Sequence, residues 1–157
     1  MSTPGHDAAP LGQGYYWQDI HAGQRFRTIR RTVTETDLVN FISVTGMLEA
    51  IFIDAEFEHG AIGGRPVPAA LTQGLIEGLL FQTMIQGTGL ALLEMSLKAL
   101  KPVRVGDTIW AVVTVTEVKP TSKHNRAVVT SEIEVYNTRN EQVLTYVAKR
   151  MLAGRHS

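Results

Sequence analysis

Residues 63–86 read Gly63-Gly64-Arg65-Pro66-Val67-Pro68-Ala69-Ala70-Leu71-Thr72-Gln73-Gly74-Leu75-Ile76-Glu77-Gly78-Leu79-Leu80-Phe81-Gln82-Thr83-Met84-Ile85-Gln86. From Ala69 onward the run is long and rich in straight-chain apolar residues, which favours a helix over a strand. Pro68 suits a first helical position, where a missing N–H leaves no bond unmade, and Gly87 and Gly89 supply a stop. The sequence therefore predicts a helix from Ala69 to Gln86. At about 100° per residue its apolar side chains occupy nearly the whole circumference. A helix of that kind is either buried or crosses a membrane. Glu77, Gln73 and Gln82, with the shortness of the run, speak against a membrane. The reading is a central helix wrapped by the rest of the protein, with Ala70, Gly74 and Gly78 four apart as a small-residue row.

Composition agrees with a single folded domain. The 157 residues suffice for a sizeable core, and a 44% hydrophobic, 19% charged chain is neither disordered nor a highly charged polymer. A net charge of zero leaves no electrostatic footprint for nucleic acid. The absence of cysteine removes a thiol nucleophile, a disulfide framework and a thiolate metal site. The five histidines show no metal-ligand spacing, and no cofactor is expected. Residues 1–13, with Pro4, Gly5, Pro10 and Gly12 but no apolar stretch, are expected to form a floppy tail rather than a signal peptide. One domain is expected over 14–154, in the cytoplasm.

Working outward from the helix, Arg25 to Val33 alternates like a strand, with Arg25, Arg27, Arg30 and Arg31 on a solvated face. Thr34 can cap a helix whose first turn carries Glu35 and Asp37, and Leu38, Val39, Phe41, Ile42 and Val44 follow at helical spacing up to Gly46. Met47 to Ile62 has no clean period. Glu49 stands alone among Met47, Leu48, Ala50, Ile51, Phe52 and Ile53, a segment apolar enough to cover a pocket mouth or a subunit contact. Asp54 reads as the cap of a single turn, and His59 as a loop residue facing solvent. Beyond the helix the period becomes two, at Leu93 to Ala99, Thr108 to Val118, Ala127 to Val135 and Val143 to Leu152, with a hairpin turn at Asn137 to Asn140. One antiparallel sheet must curl around one apolar helix to bury it. This α+β arrangement is the hotdog fold.

Three local stretches carry a further resemblance. They are Thr32-Val33-Thr34-Glu35-Thr36-Asp37-Leu38-Val39-Asn40-Phe41 running to Thr45-Gly46, Gly64-Arg65-Pro66-Val67-Pro68 entering the helix, and Pro102-Val103-Arg104-Val105-Gly106-Asp107-Thr108 before the long strand. In order and spacing the chain from about Tyr15 to Leu152 resembles the MaoC-like hydratases/dehydratases, the hotdog family that includes (R)-specific enoyl-CoA hydratases. The resemblance implies an acyl-CoA or acyl-carrier thioester as ligand, a homodimer or higher oligomer, and an oxyanion hole at the start of the central helix. Pro68 has no N–H, so Ala69 becomes the expected donor. Family members place an Asp and a His in a Gly-Asp-x-Asn-Pro-x-His segment after the short helix. Here that segment is Gly46-Met47-Leu48-Glu49-Ala50-Ile51-Phe52, with Met47 at the Asp and Phe52 at the His. Neither side chain carries a proton, so that dyad cannot supply general acid–base catalysis.

What remains is Glu49, an ionisable group among apolar neighbours, whose burial would raise its pKa toward that of a usable base. Three activities stay open: a hydratase or dehydratase using Glu49, a silent acyl-thioester-binding or partner subunit, and a hotdog thioesterase using Glu49. Glu49 is the candidate catalytic residue. Met47, Phe52, Arg65, Ala69 and Ala70 are the candidate substrate contacts.

Overall fold

Alternation over the last fifty residues becomes one sheet. In the computed structural model, which describes residues 3–59 and 63–156, the elements are β1 (Arg25–Arg27), β2 (Arg31–Thr32), α1 (Glu35–Thr45), α2 (Ala50–Ile53), α3 (Ala69–Phe81), β3 (Gly89–Ala99), β4 (Thr108–Pro120), β5 (Arg126–Asn137) and β6 (Gln142–Ala153). Residues 60–62, the end of the segment read from Met47 to Ile62, lie outside the described residues. The strands pair antiparallel in the order β1-β4-β5-β6-β3, with β2 alongside β4. Ile109, Ala111, Val113 and Val115 of β4, Ala127, Val129, Ile133 and Val135 of β5, and Leu144, Ala148 and Leu152 of β6 are buried with Leu71, Ile76, Leu79 and Leu80 of α3 in one apolar core. The sheet curls about the helix in the hotdog manner.

The helix differs from its expectation in two respects. It ends at Phe81 rather than Gln86, because the chain turns inward to bury Met84 and Ile85. The turn also frees the carbonyls of Met84 and Gln86 to accept the N–H groups of Tyr15 and Gly14, each at 2.8 Å. Nor is α3 wrapped all round: Ala70, Gly74 and Phe81 are exposed along one strip, part of the small-residue row. Beside it, all eleven residues of β3 are exposed, Leu90, Leu92, Leu93, Met95 and Leu97 among them, and among the described residues only β6 pairs with that strand.

The N-terminal strand is two strands. Between them Thr28 donates its N–H to the Ala111 carbonyl at 3.0 Å and accepts the Ala111 N–H on its hydroxyl at 2.9 Å. A side chain thus stands in for a backbone acceptor, and the edge bends without leaving the buried Ala111 N–H unpaired. Helix α1 starts and stops where its caps dictate. Thr34 Oγ1 accepts from the Asp37 N–H at 3.1 Å, Asp37 Oδ2 accepts from the Thr34 N–H at 2.8 Å, and Gly46 closes the helix at φ 76°.

One charged pair lies inside the core. Glu77 of α3 and Arg150 of β6 are each 8% exposed and pair at 2.5 Å. The neighbouring Tyr146 hydroxyl has no hydrogen-bond partner among the described residues, and burial together with the Glu77 charge holds its pKa well above the usual phenol range.

Candidate functional site

The entrance to α3 is pinned from two sides. Val67 donates to the Val103 carbonyl and Val105 to the Arg65 carbonyl, each at 2.9 Å, so Arg65–Pro68 runs against the loop between β3 and β4. Opposite stands the single turn α2, which the sequence did not predict because its apolar residues have no period to read. The start of β6 completes the enclosure. Together these elements surround a cavity of about 360 Å³, with Ile51, Phe52, Ala69, Leu100, Val103 and Leu144 among its walls.

Three polar groups interrupt the apolar lining. The Ala69 N–H is one of the first four of the helix and has no intrahelical acceptor. The Thr72 hydroxyl, on a residue 1% exposed, has no partner among the described residues. Lys101 pairs with Glu141, which also accepts from Asn137 Nδ2 at 3.0 Å and Arg139 Nε at 2.7 Å. The bonds from Lys101, then Asn137 and Arg139, hold the Glu141 carboxyl down at about 2. The cavity can therefore take an apolar chain, with the first N–H groups of α3 beside it.

The residues singled out from sequence separate on this geometry. Phe52 and Ala69 border the cavity. Met47, Glu49, Arg65 and Ala70 do not. Met47 is 41% exposed, Ala70 lies on the open strip of α3, and Arg65 pairs with Glu35 at 2.6 Å. The burial expected around Glu49 is absent within the chain. Its carboxylate is exposed and accepts the Ala50 N–H at 3.1 Å as the N-cap of α2. The apolar neighbours turn away because α2 directs Ile51 and Phe52 to the cavity and leaves its N-cap residue at the surface. Asp54 accepts from the Glu56 N–H at 2.9 Å, as a turn cap does, and His59 is exposed. Sequence reasoning passed over Thr72 and Lys101. The signal for Thr72 was available, since it is the one hydroxyl in the first turns of an otherwise apolar helix.

The family profile for the MaoC like domain matches residues 19–137. The (R)-specific enoyl-CoA hydratase of Rhodospirillum rubrum is 30% identical over 110 residues, covering 69% of this chain and 75% of the relative. The 3-hydroxybutyryl-CoA dehydratase of Methylorubrum extorquens is 27% identical over 119 residues, covering 75% of this chain and 74% of the relative. Among solved structures, a MaoC-like dehydratase from Rhodospirillum rubrum superposes with a TM-score of 0.82 at 24% identity, over 92% of this chain and 100% of that one. On a profile match that takes in α1, α3 and the cavity residues up to Val103, this chain belongs to the MaoC-like family.

Proposed function

We propose that this chain is a MaoC-like hydratase/dehydratase scaffold that binds an acyl thioester, of coenzyme A or of an acyl carrier, in the cavity at the start of α3. The thioester carbonyl lies on the Ala69 N–H, and the acyl group follows the apolar wall. The observation that carries this reading is the make-up of the cavity: its residues offer donors at the helix start but, Lys101 apart, no ionisable side chain. The positions where the family keeps its Asp and His hold Met47 and Phe52, and Phe52 instead forms part of the wall. Without an acid–base pair, polarising the carbonyl does not move a proton. The chain alone is a binding subunit, and hydration or dehydration requires a second chain that carries the dyad.

A second reading keeps turnover in this chain. Phe52 borders the cavity and donates its N–H to the Glu49 carbonyl at 2.8 Å, so Glu49 stands one turn away. From there it serves as the base for hydration or for thioester hydrolysis once a thioester or partner chain shields it from water. Purified protein titrated with crotonyl-CoA and butyryl-CoA, and assayed for their hydration and hydrolysis, separates the readings. Binding without turnover is expected. Turnover abolished by Glu49→Gln establishes the second reading, and no binding of either thioester sinks both.

The proposal includes a homodimer formed over β3 in the cytoplasm. An eleven-residue strand exposed on both faces and paired on one edge only is an open template for a second copy, and the exposed Ala70 and Gly74 allow close approach beside it. No helix of the described residues is long and apolar enough to cross a membrane.

A further inference from the structure

Cavities flank β3 at both ends. The one at the start of α3 touches Ala99 and Leu100, where the strand finishes. Another, of about 370 Å³, lies at the far end of α3 and touches residues 89–92, where the strand begins. Phe81, Ile85, Leu90 and Leu92 make it apolar, and Arg150 is its one charged residue. The Arg150 side chain is 9% exposed and borders this cavity from β6, where it stands opposite Leu92 of β3. Its Nη2 group donates to Glu77 Oε1 at 2.5 Å, while Nε and Nη1 make no hydrogen bond among the described residues. Both keep accessible surface, unlike the fully covered Glu77 Oε2 and Tyr146 hydroxyl. A buried guanidinium with unspent donors carries a desolvation cost that an acceptor in the cavity removes. Glu77 already neutralises the charge, so the acceptor it lacks is an uncharged oxygen. A carboxylate there sets a second negative charge beside Glu77 in an apolar surround.

Pairing of β3 with a second copy supplies the route to Arg150. Antiparallel overlap of the whole strand sets Gly89 against Ala99 of the second copy, so each copy's far cavity comes alongside the other's thioester cavity. The second copy's β3 then runs two strand spacings, about 10 Å, from the β6 that carries Arg150. We infer that Arg150 of one copy ends the acyl channel that starts at Ala69 of the other. The channel takes medium-chain acyl thioesters with an uncharged oxygen, a hydroxyl or a carbonyl, at the distal end of the chain. The inference rests on the acyl-thioester and β3-dimer reading above. It adds the residue that meets the far end of the acyl group and the chemistry that residue selects.

The test compares dissociation constants, by calorimetry, for octanoyl-CoA, ω-hydroxyoctanoyl-CoA and suberyl-CoA, whose chain ends in a carboxylate. The proteins are the wild type and Glu77→Leu/Arg150→Met, which exchanges both charges for apolar groups and leaves neither buried alone. The wild type should prefer the ω-hydroxy thioester to octanoyl-CoA on the order of 10-fold, the worth of a hydrogen bond to a charged group. It should bind suberyl-CoA no better than octanoyl-CoA. The double variant should bind octanoyl-CoA at least as well as the ω-hydroxy thioester. Light scattering on the wild-type samples should give a dimer. A wild type without the preference, one that favours suberyl-CoA, one that is monomeric, or a preference that survives in the double variant overturns the inference and leaves the acyl-thioester site standing. Failure of both proteins to bind any of the three thioesters overturns the site itself.

Discussion

Glu141 gathers Lys101, Asn137 and Arg139 at the hairpin beside the cavity, and its carboxyl is held at about 2 against an ordinary 4.5. A depressed folded-state pKa contributes stability that is complete above 4.5 and is lost as the pH falls from there toward 2. Thermal melts stepped through that window at low salt should therefore fall more steeply for the wild type than for Glu141→Gln. Superimposable curves would show that these bonds do not depend on the carboxylate charge. At the other side of the cavity, Glu49→Ala removes one exposed cap bond and should cost about 0.5 kcal/mol in urea titrations. A loss above about 2 kcal/mol would mean that Glu49 holds more than α2. Thr34, Asp37 and Gly46 were legible from sequence because a cap acts on backbone three or four residues away. The exposure of Glu49 within the chain was not legible, because its surroundings depend on where α2 points, and sequence neighbours do not report that. Thr72 was overlooked because its character comes from a bond it does not make.

Elements show the same division. The limits of α1 follow from local chemistry, whereas the end of α3 is decided by Met84 and Ile85 entering the core and by Gly14 and Tyr15 arriving from seventy residues earlier. The break between β1 and β2 depends on one threonine meeting Ala111 across the sheet, so a local period reads through it. Sheet and helix are joined electrostatically at Glu77–Arg150, which local patterns equally cannot announce. Arg150→Met leaves the Glu77 carboxylate buried and unpaired and should cost about 3–5 kcal/mol by chemical denaturation. The double variant Glu77→Leu/Arg150→Met should stay within about 1 kcal/mol of the wild type, because it buries apolar groups in place of both charges. A double variant as unstable as the single one would show that the pair is needed for more than mutual neutralisation.

For the whole molecule, the fold was the most legible layer, since an apolar helix followed by alternating strands leaves few ways to bury both. Its open side was not legible, because an apolar position in the sequence looks the same whether its cover comes from its own chain or from another. Met95 stands at the centre of that side, where Gln73 donates to its sulfur at 3.4 Å. Light scattering at micromolar concentration should give a dimer mass for the wild type, and Met95→Asp should shift it toward the monomer. A wild-type monomer at all concentrations would refute assembly over β3. The eleven exposed residues of β3 also bear on biogenesis. On the proposed assembly over β3, a newly synthesised copy that has yet to pair displays a long open edge, the hardware from which cross-β aggregates are built. Two register shifts, at Gly89/Ala91 and Leu92/Glu94, interrupt the flatness of that edge, and Glu94 and Lys98 place charge along it. Recovery of native protein after dilution from denaturant should accordingly peak at an intermediate concentration. Below the peak copies seldom meet, and above it they meet before they have folded.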